Sequence, residues 1–315
     1  MRMGKWQLSV LFVAGTIAVA LAGGCTRSTR GQTIAIDGIK LSQDYPTVVE
    51  VENWNGSVTV RAVPGLKAPK VRARVHAAGS DAPKPGEMWD EVSVKATAAI
   101  SGTERLLKVV STPVSDPPPQ VGVDIEVHVA AVSETRIKNA GGPVELVHVN
   151  GPITIQNGWG GRPGGPVEVR TGEAMTFPIN ISTTEGKIRY VVGPGSTGAF
   201  DIVSDNGAAE FSSYMGEVKD VRPEFSHYRC ILIDGSNAVN LRSGKGLVRA
   251  SVQENAGTVG PEVWDGDFVW PKEPRIVGRL GGYYNDEPAR LPWQKPAPKA
   301  PPAPAPEPVQ PTPGQ

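Results

Sequence analysis

The sequence predicts an all-β chain, with an antiparallel β-strand region followed by a β-solenoid stack. Three observations carry this. Apolar and polar residues alternate in many short runs, the mark of strands with one buried face. Gly (37) and Pro (30) make up about a fifth of the 315 residues and punctuate those runs, favouring turns over helices. From Glu134 onward, short strand-turn units recur as a loose repeat, so that each coil needs its neighbours to bury its apolar face. A β-sandwich built from the same strands is the alternative architecture.

The N-terminal 24 residues read as a secretory signal. Arg2 and Lys5 precede an apolar run from Leu8 to Leu21, too short to span a bilayer as a mature helix. Leu21-Ala-Gly-Gly-Cys25 resembles the lipobox of bacterial lipoproteins, with Ala22 where the consensus has Leu. The resemblance implies that Cys25 becomes the first mature residue and carries a diacylglyceryl thioether plus an amide-linked acyl chain, such as palmitate. Several acyl chains hold a protein on a membrane where one does not. Thr26, rather than Asp, follows Cys25, which by the sorting rule of such lipoproteins implies the outer membrane. With Cys25 so used, Cys230 has no partner, and no intramolecular disulfide is expected.

After a tether over 25–31, the region 32–131 reads as antiparallel strands. Thr47–Asn53 and Ser57–Arg61 alternate on either side of a Trp54-Asn-Gly56 hairpin turn. Lys70–Ala77 is a third strand. Glu91–Lys95 and Arg105–Val110 form another antiparallel pair, and Val121–Val129 is the cleanest alternation in the chain.

The solenoid is expected over 132–255. Ile137–Asn139, Val144–Leu146, Val147–Val149 and Ile153–Ile155 are its first short strands, broken by Gly turns. Further runs lie at 166–170, 179–181, 186–190, 200–202, 208–211, 239–241 and 247–252. Residues 256–287 concentrate aromatics and read as a segment capping the open end of the stack. From Pro288 to Gln315, 11 of 28 residues are Pro, which predicts an extended, disordered tail.

The strand Val121–Val129 leading into Ala131–Ile137, and the train of apolar-x-Asn/Thr-x-Gly-x-apolar units, resemble the bacterial cell-surface "putative adhesin" domain of unknown function, a β-solenoid family. The resemblance covers roughly residues 45–255. It implies a binding role and brings no catalytic or binding residues with it.

The charge count, 32 basic against 32 acidic residues, supplies no field for nucleic acid. His227-Tyr-Arg-Cys230 has metal-ligand spacing but stands alone. Glu185, Asp201, Asp205, Glu210 and Asp234 are the carboxylates from which a polysaccharide-cleaving site on a β-helix would be drawn, because a glycosidase needs two facing carboxyl groups. Asp205 and Asp234 precede Gly-containing turns, where Asp bonds its own backbone. Trp159, in the Gly-rich stretch 157–165 that interrupts the repeat, is the candidate ligand contact, since an indole stacks on sugars or protein partners. The reading is a non-enzymatic, lipid-anchored envelope protein with no metal or cofactor. Its partners are the membrane, through Cys25, and an envelope protein or a glycan.

Overall fold

The computed structural model describes residues 27–41, 45–77, 83–101, 103–115 and 120–258. These all belong to one compact unit. A second unit, Gly281–Gln315, lies outside them, as do Cys25, the signal segment and all but the first residues of the aromatic segment.

In chain order the first strands are β1 (Arg27–Ser28), β2 (Gln32–Ile34), β3 (Ile36–Gly38), β4 (Thr47–Asn53), β5 (Val58–Ala62) and β6 (Lys70–Ala77). A 3-10 turn over Met88–Glu91 leads to β7 (Val92–Ser101), β8 (Glu104–Pro113) and β9 (Val121–Val129). Then come β10 (Val132–Asn139), β11 (Gly142–Val147), β12 (Ile153–Asn157), β13 (Gly164–Arg170), β14 (Ile179–Thr183) and β15 (Ile188–Val192). The last are β16 (Gly198–Ser204), β17 (Ala209–Ser213), β18 (Val218–Pro223), β19 (His227–Leu232), β20 (Ala238–Ser243) and β21 (Val248–Val252).

The strands form two sheets, one of ten strands and one of eleven. The all-β class expected from the sequence holds. The sheets face one another as in a sandwich, but the connections are those of stacked coils. Each coil gives one strand to the eleven-stranded sheet and the next to the ten-stranded sheet, and coils pair in parallel. Along the stack the order is β8/β9, β4/β5, β10/β11, β12/β13, β14/β15, β20/β21, β16/β17.

That order corrects the expected antiparallel region over 32–131. β4 pairs with β8 in parallel, and β5 with β9 in parallel, so both are coils of the stack. The Trp54–Gly56 turn is a corner between sheets, not a hairpin. The β7–β8 pair is antiparallel, as expected. Antiparallel strands do close one end of the stack: β6 lies on β9, and β7 on β8. At the other end β19 runs antiparallel on β16, with β18 outside it. β18 carries Pro223, a register shift and Asp220 at φ 50, features that blunt an edge against further pairing.

Alternation aims one set of side chains inward, and the parallel register stacks like on like. Val109, Val51, Ile137, Ile155, Ile181, Leu241 and Ile202 form one column of the core. In the facing sheet, Tyr190, Ala250 and Phe211 are consecutive rungs, the small residue making room between two large ones. Phe211 packs on Phe200 (centroids 4.8 Å apart) and on Tyr228 (5.9 Å), plugging the last coil with rings.

The first corner of each coil is held by a second kind of column. Asn53, Asn139, Asn157, Thr183, Ser243 and Ser204 occupy the same register position and are all buried. Asn53 Nδ2 donates to Asn139 Oδ1 (3.0 Å), and Asn139 Nδ2 to Asn157 Oδ1 (3.1 Å). Onward, each side chain donates to a glycine carbonyl of the coil before it: Asn157 to Gly142, Thr183 to Gly165, Ser243 to Gly186 and Ser204 to Gly246. Coils approach so closely here that a Cβ on Gly56, at φ 107, would stand 2.3 Å from the Val123 carbonyl oxygen. Only glycine fits such a position.

Two further expectations change. β11 ends at Val147, and His148 sits at φ 56 in an exposed turn rather than inside a strand. β18 and β19 are strands where none was expected.

Candidate binding surfaces

The coil geometry gives the molecule two broad outer faces. On the eleven-stranded sheet, Glu50, Arg136, Thr154, Asn180, Asn240 and Asp201 stand side by side in register, and all but the half-buried Glu50 and Asp201 are exposed. Lys108 reaches Glu50 (2.6 Å) and Glu52 (3.0 Å), and these two carboxylates raise its pKa. A shallow depression of about 260 Å³ lies among Glu50, Glu52, Arg136, Lys138, Thr154 and Gln156. Its walls offer carboxylates, cations, a hydroxyl and an amide on a flat surface, a donor and acceptor set suited to hydroxyl-rich or mixed-charge ligands.

The five carboxylates singled out from the sequence are not brought together. Asp201 is on the outer face of β16, bonded to His227 (2.5 Å) and Arg229 (3.0 Å). Burial acts upward on its pKa, but those hydrogen bonds prevail and hold it below the usual carboxylate range. Glu210 is on the opposite sheet, paired with Arg249 (2.5 Å). Glu185 and Asp205 lie on the first corner, separated by the β20/β21 coil, whose Lys245 and Arg242 neutralise them at 2.5 and 3.0 Å. Asp234 follows β19 and pairs with Lys219 (2.9 Å).

The His227/Cys230 spacing fails for a period-2 reason. An odd separation on a strand sends the two side chains to opposite faces. His227 turns outward to Asp201, while Cys230 is 3% exposed in the core, where burial pushes its thiol up to about 12. Among the described residues no group of three or more His, Cys, Asp or Glu is placed to hold a metal.

Trp159 lies in the corner loop between β12 and β13 and is 44% exposed. Gly158, Gly160 and Gly161 all take positive φ, which shapes the loop. Arg162 ties it down by stacking on Trp54, 4.7 Å from the ring centroid. The indole of Trp159 therefore projects from an anchored loop. A second apolar group, Tyr214, Met215, Phe225 and Ile233, is exposed at the β16/β17 end, with Phe225 81% exposed. Tyr214, Met215 and Phe225 lie in the β17–β19 connections and Ile233 just after β19, segments that carry no strand signal in the sequence. Their polar alternation is weak, and no periodic signal marked them.

No family model and no curated protein matches the chain. Several solved structures resemble it. One is a "putative cell adhesion protein" from Clostridium sporogenes, 11% identical with a TM-score of 0.41, covering 71% of this chain and 99% of its own. Another is a "putative adhesin" from Bacteroides fragilis, 8% identical with a TM-score of 0.25, covering 73% and 97%. A "putative lipid binding protein" from Parabacteroides distasonis is 11% identical with a TM-score of 0.27, covering 72% and 97%.

Proposed function

We propose that this chain is a lipid-anchored protein of the bacterial envelope that works as a non-enzymatic binding or scaffold module. The observation that carries the non-enzymatic part is the dispersal of Glu185, Asp201, Asp205, Glu210 and Asp234, each neutralised by its own basic neighbour. A glycosidase needs two carboxyl groups flanking one bond, with one of them kept protonated in a low-polarity site. Paired, half-exposed carboxylates on separate surfaces do not supply that. The five carboxylates from which the polysaccharide-active alternative was drawn therefore do not make its constellation.

Binding by surface complementarity fits the rest. The flat polar face of the eleven-stranded sheet and the projecting Trp159 suit a glycan or an envelope protein. The anchoring part rests on the N-terminal sequence, where Cys25 follows a signal-like apolar run. The test is Cys25→Ala in the full chain, followed by fractionation. The variant moves from the membrane to the soluble fraction if Cys25 carries the lipid. Retention in the membrane fraction sinks the anchor. The same soluble variant, incubated with a panel of envelope polysaccharides, should bind without shortening them, and release of reducing ends would restore the enzymatic reading.

A further inference from the structure

On the ten-stranded sheet, Val147, Arg170, Val191, Ser251 and Ser212 stand side by side across β11, β13, β15, β21 and β17. Their chain neighbours Leu146, Val169, Tyr190, Ala250 and Phe211 point into the core, so alternation turns these five outward. In two sheets packed face to face, the residues that alternate with the inner ones turn to water. The corresponding face of the other sheet does so at Arg136, Thr154, Asn180 and Asn240. Here, however, the five are only 1–5% exposed, and in the adjacent row Glu168 is 0% and Arg189 6% exposed.

The charges on this face are costly to bury unless they are well partnered. Glu168 bonds Arg189 (2.5 Å) and lies 3.1 Å from Arg170, which also pairs with Glu145. Glu168, Arg170, Lys187, Arg189 and Arg249, all from these strands or the turn before β15, are each engaged by further partners. No strand among the described residues packs over the face. The described chain reaches only its margin. After β21, Gln253 bonds the Val192 carbonyl and Ser251, and Gly257 lies against Gly172 and His148, beside the ends of β13 and β11.

We propose that the outer face of the ten-stranded sheet is the docking surface for residues 259–280 of this same chain. The path to Thr258 delivers the chain to the edge of the face. The next residues suit the face: Trp264, Phe268 and Trp270 can cover Val147 and Val191, and Glu262, Asp265 and Asp267 bring acids to a face rich in Arg170, Arg189 and Arg249. Length suffices. Five strands span about 19 Å, which roughly six extended residues cross. Docked so, the aromatic segment would cover the flank of the stack rather than its open end. Docking there leaves the eleven-stranded sheet as the accessible face.

Hydrogen exchange on the unlipidated Cys25→Ala full chain tests this. Amides within 259–280 should exchange at least about 100-fold slower than a random coil. In Val191→Lys that protection should fall while the β14 and β20 amides keep theirs. A second variant acts from the other side: Trp264→Ser with Trp270→Ser removes both rings without touching a strand, and should lower Tm by about 5 °C or more. Random-coil exchange of 259–280 in the parent, or an unchanged Tm in the double variant, overturns the proposal. So does protection that disappears on dilution, because that would make a second copy the occupant.

Discussion

Replacing Asn139 by Ala removes the middle of the corner column. The side chain donates to the Gly141 carbonyl (2.9 Å), the Gly142 carbonyl (3.1 Å) and Asn157 Oδ1 (3.1 Å), and accepts from Asn53 Nδ2 (3.0 Å). Asn53 keeps a bond to the Val123 carbonyl, and Gly142 keeps one from Asn157. The Gly141 carbonyl keeps a bond from the Gly56 N–H, so Asn157 Oδ1 is the group that loses its donor in a site shut to water. Leaving a buried polar group unsatisfied costs about 1–3 kcal/mol, so the loss should come to about 2 kcal/mol. For a domain of this size that is a fall in Tm of roughly 4–8 °C. Thermal unfolding by circular dichroism, in a Cys25→Ala background, measures it. Gln156→Ala, one residue before Asn157 and exposed, is the control, and surface changes of that kind stay within about 0.5 kcal/mol. If Asn139→Ala melts within a degree or so of that control, the column is incidental and the corners are held by the glycine contacts alone. Combining Asn139→Ala with Asn157→Ala should cost less than the sum of the two, because both remove the same bond.

Two further outcomes follow from titratable groups that the fold shifts. Burial acts upward on Asp124, but hydrogen bonds from His76, Ser57 and Arg74 outweigh it and hold the carboxyl well below the usual range. A carboxyl depressed by folding stabilises the fold above its unfolded pKa and loses that contribution as pH falls toward the folded value. Stability should therefore decline below about pH 4 more steeply in the parent than in Asp124→Asn, and chemical denaturation at pH 7 and pH 3 measures the difference. The Cys230 thiol, pushed up to about 12, should resist a thiol reagent at pH 8 until the protein is unfolded, and prompt labelling of the native chain would contradict its place in the core.

Strand existence was legible in the sequence because alternation is a property of each strand alone. Val121–Val129 and Ile153–Ile155 declare a buried face without reference to any neighbour. Pairing was not legible. Thr47–Asn53 shows the same alternation whether it lies antiparallel to Ser57–Arg61 or parallel to β8 and β10, and an Asn-Gly pair serves a hairpin or a coil corner equally. The polar corner column was half visible, since Asn53, Asn139 and Asn157 each stand one to three residues before a glycine. Their stacking depends on register, which only the fold supplies. The carboxylates were named correctly as charged groups, but whether Asp201 and Glu210 faced one another was decided by which sheet each strand joined.

The out-of-order coils at the two ends of the stack govern how the chain can be assembled and how it can change in length. β20/β21 is the last coil in the sequence, yet it sits between β14/β15 and β16/β17. During synthesis those two coils emerge first, and they join only through residues 238–252, which come later and lie between them. At the opposite end, β4/β5 is flanked by coils made later. At the β16/β17 end the outermost positions are taken by interior segments of sequence, so a coil added after β21 has no place at that end of the stack. Duplication within the regularly ordered middle, β10 through β15, lengthens the stack without rerouting the chain.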